Sequence, residues 1–312
     1  MNHEIYVREA VTETETAAFW TQLYAYFLRD ILPGSTEADR AYFLGAEYRK
    51  QIQTLHDRPQ DALRYLFFCR DGQDIGFSMV SIYTTEDGKC FVLEFCVFPE
   101  FRGSGTGKAC ARALLDWARS NGALYAELNY GSDPRRLRFW QSLGFQRNGA
   151  DEWGEPLLLL PPLEAVPFTV EVLADPEDWQ LKRLENGYLL EIGEQALTKE
   201  RQKRLSEAIR EGKITFFAAK RGYRAVGICS VARSWSTFAC GEIAVLEDFY
   251  IEPVFRRQGI ARKLAQAAQN WCRANGIASL TVCCAPCDEG MYQALGFSEP
   301  LGRTFAYLMQ DM

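Results

Sequence analysis

The sequence predicts an α/β (α+β) protein made of two tandem copies of one unit, each a mixed sheet flanked by helices. The first observation behind this is a segment that occurs twice. FVLEFCVFPEFRGSGTGKACARALLDWARSNGALYAELN in the first half returns as AVLEDFYIEPVFRRQGIARKLAQAAQNWCRANGIASLTVCC in the second. At a constant offset of 154 residues the copies share Pro99/Pro253, Phe101/Phe255, Arg102/Arg256, Gly105/Gly259, Trp117/Trp271, Arg119/Arg273, Asn121/Asn275 and Gly122/Gly276. The second observation is length: 312 residues suit about two domains of ~150 residues, each large enough for its own core. The third is that strand-like and helix-like patterns follow in the same order on both sides of the paired prolines Pro161-Pro162. The expected domains are residues 1–163 and 164–312.

In the first half IYVREA reads as a strand, followed by helical patterns over Glu13–Arg29 and Thr36–Leu55, parted by Pro33-Gly34. RYLFFCR and DIGFSMVSIY alternate as strands around the turn Asp71-Gly72-Gln73. Glu86-Asp87-Gly88-Lys89 turns the chain into CFVLEFCVF, a basic turn, and a helix over Gly107–Ser120 that Asn121-Gly122 stops. ALYAELN is a strand, Asp133-Pro134 opens a helix that ends at Leu143-Gly144-Phe145, and PLLLL is the last strand. The second half repeats this with PFTVEVL, helices over Asp178–Ile192 and Thr198–Arg210, then ITFFAAK, RAVGICSVA and AVLEDFYI. The turn, its helix, LTVCC, a short helix through Met291–Leu295 and FAYLM complete it. One difference stands between strands three and four, where the second half has the longer SWSTFACGE with Trp235, Phe238 and Glu242. Aromatic residues in a loop more often cover a core edge; they also can wall a substrate site.

Composition narrows the function. The apolar fraction of 47% and charged fraction of 24% are ordinary for a globular protein. No apolar run reaches the ~20 residues that span a bilayer, and MNHEIYVREA lacks the pattern of a signal peptide. A cytoplasmic protein with no membrane partner is expected. Net charge −6 argues against a nucleic-acid partner, since a phosphate backbone needs a broad basic surface. Of ten cysteines, Cys69, Cys96, Cys229 and Cys272 sit at apolar positions and read as small hydrophobes. Cys284 and Cys287 make a CxxC, but no second Cys or His pair stands at matching spacing, so no metal is expected. The two histidines, His3 and His56, lie far from the repeat, which leaves Ser-His-Asp or Cys-His chemistry little to work with.

The repeated turn is the chemical signal. A strand, a Gly-containing basic turn and a helix present backbone N–H groups to an anion at the helix N-terminus. RGSGTGKA is not a P-loop, because Arg102 stands six residues before Lys108 where Gly is needed, and Ala109 follows the Lys. It is not a dinucleotide fingerprint either, because Lys108 stands three residues beyond Gly105. What remains is Arg-x-x-Gly-x-Gly at Arg102, Gly105 and Gly107, and Arg-x-x-Gly-x-Ala at Arg256, Gly259 and Ala261. Small residues let the backbone approach a diphosphate, with Lys108, or Arg257 and Arg262, adding charge. The bland alternative for one copy is a basic turn before an amphipathic helix; two copies in the same strand context weaken it.

With these residues in view the chain resembles the GNAT family of N-acetyltransferases in a tandem two-domain form, over nearly its whole length. The resemblance rests on VFPEFRGSGTG and IEPVFRRQGIA, and on the later FWQSLGF (Phe139–Phe145) and MYQALGF (Met291–Phe297). It implies acetyl-CoA as co-substrate, no metal, and in each domain a mostly antiparallel sheet whose fourth and fifth strands are parallel and splayed. The cofactor-binding residues it implies are Val97, Phe98, Arg102, Gly103, Ser104, Gly105, Thr106, Gly107 and Lys108 in the first half. In the second they are Tyr250, Ile251, Arg256, Arg257, Gln258, Gly259, Ile260, Ala261 and Arg262. Main-chain groups of Val97–Phe98 or Ile251–Glu252 would pair with the pantetheine amides, and an N–H near Cys96 or Tyr250 would polarise the acetyl carbonyl.

By the same resemblance an amine attacks directly after a carboxylate removes its proton through water. The matching carboxylates are Glu94 and Asp248, with Glu247 adjacent; neighbours on a strand face opposite ways, which favours Asp248 over Glu247. The thiolate would be protonated by a Tyr before Leu-Gly-Phe. Tyr292 stands there in the second half, where a packing role is the alternative, and Trp140 in the first, whose indole N–H is not a useful acid. The expectation is an N-acetyltransferase acting on a primary amine of a small molecule or peptide, with the second half catalytic and the first a binding or scaffold domain. The competing reading is a non-catalytic acyl-CoA sensor. A weaker one is a protein-docking surface over Asp178–Arg210 and SWSTFACGE, in which Glu185, Glu191 and Glu194 recognise an amine, although acids in series on a helix are usually its solvated face. The tandem arrangement suits a monomer with an internal pseudo-dimer, or a homodimer.

Overall fold

The computed structural model describes residues 4–151, 153–162 and 167–302. The chain divides into two compact units, Met1–Asn148 with Glu155–Ala165, and Gly149–Gly154 with Val166–Met312. The first unit opens with β1 (Tyr6–Glu9) and α1 (Glu13–Tyr26). Thr12 starts the helix as a capping box: its hydroxyl accepts the Glu15 N–H at 3.2 Å, and the Glu15 carboxylate accepts the Thr12 N–H at 3.0 Å. The helix leaves α geometry earlier than its apolar spacing suggests, in a single π turn over Phe27–Ile31. The helical stretch after Pro33-Gly34 also splits, into α2 (Glu37–Phe43) and α3 (Ala46–His56). Gly45 marks the break, since a Cβ there would lie 2.4 Å from the Ala41 carbonyl oxygen.

A meander follows, β2 (Leu63–Arg70), β3 (Gln73–Ile82) and β4 (Lys89–Val97), then α4 (Thr106–Ser120), β5 (Tyr125–Asn129) and α5 (Pro134–Gln141). β6 (Gln146–Ala150) and β7 (Pro156–Leu160) complete the sheet. The strand order is β1-β2-β3-β4-β5-β7-β6; β4 and β5 are parallel, and the β1–β2, β2–β3, β3–β4 and β5–β7 pairs are antiparallel. Both faces are covered, and β2 shows how: Tyr65, Phe67 and Cys69 join Phe19, Trp20 and Leu23 of α1, while Leu66 and Phe68 join Cys110 and Leu114 of α4. Each such side chain contributes roughly 1.5–3 kcal/mol on burial.

The second unit repeats the plan with β8 (Phe168–Val172), α6 (Trp179–Glu191), α7 (Lys199–Arg210), β9 (Ile214–Arg221), β10 (Arg224–Ser236) and β11 (Gly241–Ile251). α8 (Ile260–Ala274), β12 (Leu280–Val282) and α9 (Glu289–Ala294) follow. Its described strands run β12-β11-β10-β9-β8. The strand expected at FAYLM lies outside the described residues. SWSTFACGE is not a long loop: Ser234, Trp235 and Ser236 pair with Ile243, Glu242 and Gly241, so β10 and β11 form one extended hairpin. Trp235 and the fully exposed Phe238 stand at its tip, covering no core edge.

The 154-residue repeat is a repeat of core positions. α4 buries Thr106, Cys110, Ala111, Leu114 and Ala118, and α8 buries Ile260, Leu264, Ala265, Ala268 and Cys272. Both show the i, i+4 spacing of an apolar stripe. Both helices end in the same stop, with Gly122 and Gly276 at positive φ and the Ala123 and Ile277 N–H groups each bonded at 3.0 Å to a carbonyl five residues back.

Candidate active site

Two features of the repeated strand shape each site. The first is divergence. β4 pairs with parallel β5 only through Lys89, Cys90 and Phe91, and β11 pairs with β12 only through Ala244, Val245 and Leu246. Beyond those residues the strands part and leave a gap. The second is a bulge at matching places. The β3 register steps from Met79↔Glu94 to Val80↔Val92, and the β10 register from Cys229↔Phe249 to Val231↔Leu246, so Glu247 and Asp248 together face Ser230. A bulge re-aims its side chains. Glu247 is exposed, whereas Asp248 is partly buried, as is Glu94 in the first unit.

Strand alternation decides which main-chain groups face the gap. The Phe98 N–H bonds to Ile75 O and the Glu252 N–H to Val226 O, both at 2.9 Å. Residues two apart share a direction, so the N–H groups of Cys96 and Tyr250 also point to the neighbouring antiparallel strand. By the same alternation the N–H groups directed away from that strand are those of Phe95 and Val97, and of Phe249 and Ile251, on either side of Cys96 and Tyr250.

After each strand the chain makes a one-turn 3₁₀ helix, Pro99–Phe101 or Pro253–Phe255, and enters the loop. In the first loop Gly103, Ser104 and Gly105 all have positive φ. In the second Arg257 and Gly259 do, and Arg257 adopts that conformation at a cost of about 1–2 kcal/mol. Nothing would meet a Cβ within 4 Å at Gly103, Gly105 or Gly259, so the backbone there stands open to an approaching ligand. Gly107 differs, with the Phe139 ring 3.3 Å from a Cβ; its smallness serves packing against α5. The helix N-termini leave N–H groups of Gly107 and Lys108, and of Ala261 and Arg262, without intrahelical acceptors. Thr106 and Ile260 turn their side chains into the core, while Ser104, Lys108, Arg257, Gln258 and Arg262 are exposed. A cleft of about 570 Å³ beside the α4 N-terminus is lined by Glu4, Ile5, Arg70, Ser104, Gly105, Thr106 and Ala109.

The motif arginines have other work. Arg102 Nε donates to Val97 O at 2.8 Å and its guanidinium pairs with Asp30. Arg256 Nε donates to Ile251 O at 2.8 Å and pairs with Glu191. In both units the motif arginine, Arg102 or Arg256, clasps the strand end to the helical segment that carries Asp30 or Glu191. Exposed Lys108, Arg257 and Arg262 remain as the loop cations.

In the second unit acids and phenols gather beside the free part of β11. Gly187 lets α6 lie close against this strand, as a Cβ there would be 3.0 Å from the Tyr250 ring. That approach buries Glu185, Asn186 and Leu189 of α6. Ser230 Oγ donates to Asp248 Oδ2 at 2.6 Å and accepts the Asp248 N–H at 3.0 Å. Burial raises Asp248 above the ordinary aspartate range, against the pull of these hydrogen bonds. Glu185 is pushed up to about 8, first by burial and then by Asp248. Burial, then Asp248, Glu185 and Glu247, raises the Tyr188 phenol. Tyr292 of α9 lies edge-on to Phe249 and Phe297, at 6.1 and 6.0 Å between ring centroids, and burial takes its phenol up to about 12. Glu185 had been readable only as one of several helix acids; of the other two, Glu191 holds Arg256 and Glu194 is exposed.

The first unit carries a thinner set. Burial pushes Glu94 up to about 7, opposed by a hydrogen bond with Tyr26 and by Arg136. Trp140, at the place of Tyr292, is 7% exposed and packed edge-on to Phe95, Phe139 and Phe145. It is a core residue.

The model of the acetyltransferase (GNAT) family matches residues 21–145 and again residues 179–297. The chain belongs to the GNAT acetyltransferase family. Both matches include the divergent strand, the glycine loop and its helix, so the tandem arrangement is of two GNAT units. The chain is thus an acyltransferase of a family that uses acetyl-CoA. A probable acetyltransferase of known structure aligns over 47% of this chain and 99% of its own, with TM-score 0.42 and 20% identity. An aminoglycoside acetyltransferase from an uncultured soil metagenomic sample aligns over 46% and 97%, with TM-score 0.41 and 18% identity. Glucosamine-6-phosphate N-acetyltransferase from Arabidopsis thaliana aligns over 45% and 98%, with TM-score 0.38 and 17% identity. No curated protein matches the chain. Among the described residues no helix is long and apolar enough to cross a membrane, and no cluster of three His, Cys, Asp or Glu side chains is placed to hold a metal ion. Cys283, Cys284 and Cys287 are exposed free thiols.

Proposed function

We propose that this GNAT protein transfers an acetyl group from acetyl-CoA to a primary amine of a small molecule or peptide, and that residues 164–312 do so. Residues 1–163 then bind acyl-CoA or act as scaffold without efficient turnover. The observation that carries this reading is the asymmetry of the two copies: Asp248, Ser230, Tyr188 and Tyr292 gather beside β11, whereas Trp140 fills a core position at the corresponding place in the first unit.

The loop N–H groups from Arg257 to Arg262, with the charges of Arg257 and Arg262, suit the diphosphate of the co-substrate. The gap-facing N–H groups of Phe249 and Ile251 suit the pantetheine amides and the acetyl oxygen, where negative charge develops. Asp248 takes the proton of the acceptor ammonium through water, aided by a raised pKa that makes it a stronger base than an ordinary aspartate. The new N–C bond forms as the C–S bond breaks, and Tyr292 gives its proton to the departing sulfur. A phenol held at about 12 keeps that proton at neutral pH until a thiolate, itself desolvated and therefore more basic, forms beside it.

Thiol release from acetyl-CoA across a panel of amines tests the activity. Tyr292→Phe is expected to lower kcat by roughly a hundredfold, the lower end of general acid catalysis, while Trp140→Tyr gains nothing. An unchanged kcat in the first variant removes Tyr292 from this role. A protein that binds acetyl-CoA yet releases no thiol with any amine is a sensor.

A further inference from the structure

Glu185 is 6% exposed, and its Oε2 has no hydrogen-bond partner. Its charged neighbour is Asp248, and no cation among the described residues offsets the two. Asp248 already uses Oδ2 for the Ser230 hydroxyl. Tyr188, which faces both acids, is neutral, and Glu247 beside them adds only negative charge. A buried carboxyl that lacks a partner stays protonated with its hydrogen bond unmade, and a bound cation would both ionise it and supply that bond. A monoamine does not do so throughout the reaction: once its proton has gone to Asp248, the nitrogen is neutral and Glu185 is again without a partner.

We propose that Glu185 sets acceptor specificity by holding an ammonium group other than the one acetylated, so that the acceptor is a compact molecule with two basic amines. The inference rests on the assignment of Asp248 as the proton acceptor. A second ammonium against Oε2 stays charged while the first is deprotonated, which keeps the buried pair compensated through the transfer. Burial alone would leave Glu185 protonated near neutral pH, and a bound cation is what would ionise it.

The test compares matched amines on the full chain: 1,4-diaminobutane against 1-aminobutane, and lysinamide against norleucinamide. Both kcat/KM from thiol release and Kd from calorimetry are read. Each diamine should exceed its monoamine partner by at least about tenfold in both, the worth of one charge-assisted hydrogen bond. The first pair reports a free diamine and the second an amino-acid source. In Glu185→Gln the ratio should fall towards one, and in Glu185→Asp it should survive with a shifted preference for chain length. The Asp variant also decides the matter if the Gln variant does not fold. Equal affinity for both members of each pair in the wild type overturns the proposal, as does a ratio that Glu185→Gln leaves intact. Selective binding of the diamines without thiol release upholds the site and sinks the enzymatic reading; thiol release from all amines alike does the reverse.

Discussion

Replacing Asp248 by asparagine is expected to lower kcat/KM for acetyl transfer by about 10²–10⁴-fold, the usual worth of a positioned general base. Asparagine keeps an oxygen for the Ser230 hydroxyl and an N–H in the strand, so the bulge and its hydrogen bonds can persist. What is lost is the site that receives the proton. The pH profile separates this from a packing defect. The wild type needs Asp248 ionised, so kcat/KM should rise with pH through an apparent pKa above the ordinary aspartate range, shared with Glu185 as a coupled pair. That acidic limb should disappear in the variant. Retained activity with an unchanged limb dismisses Asp248. Loss of activity in Glu94→Gln instead would move the chemistry to the first unit.

The second large effect concerns stability. Arg224 is fully buried, and its guanidinium donates to both oxygens of Glu252, from Nε at 3.0 Å and Nη2 at 2.6 Å. Arg183 adds a bond to Glu252 and another to Ala225 O at 2.6 Å. Glu252→Ala removes the carboxylate that accepts two bonds from the buried Arg224 guanidinium and one from Arg183, and should cost about 3–5 kcal/mol in urea unfolding at neutral pH. The pH dependence has a definite sign. The two arginines hold Glu252 down at about 2 despite its burial. Its contribution is therefore present above the ordinary glutamate value of 4.5 and is lost as pH falls from there towards 2. The wild type should lose more stability over this window than the variant. A neutral-pH difference below about 1 kcal/mol would mean that water or a shifted arginine satisfies the site.

Local pattern carried the repeat, the two helix stripes and the glycine stops into the fold, because each is written in residues a few positions apart. β6 was not legible: Gln146-Arg147-Asn148-Gly149-Ala150 has no alternation, and it is a strand because β7 pairs with it. The extended β10–β11 hairpin escaped for a related reason, since Trp235 and Phe238 suggested a loop cover and cross-strand pairing is not local. At the site, the strand acids and Tyr292 stood at motif positions. Glu185 did not, because its burial depends on Gly187 allowing α6 to approach Tyr250, a contact more than sixty residues away in sequence. The arginine clasps were hidden in the same way, as Asp30 and Glu191 meet Arg102 and Arg256 only in three dimensions.

The parting of β11 from β12 after Leu246 has a thermodynamic side. From Phe249 to Ile251 one side of the strand is a sheet edge set inside a sheet, with the Phe249 and Ile251 N–H groups turned to it and Ile251 O already taken by Arg256. A co-substrate whose amides fill that row acts as a removable strand, so occupancy and folding become linked. At a hundredfold excess over Kd, acetyl-CoA should stabilise the unit by about 2.7 kcal/mol. Hydrogen-exchange protection should rise at the Phe249 and Ile251 amides more than at Tyr250, whose N–H already faces β10. Equal gains at all three would mean the ligand tightens the unit without joining its sheet.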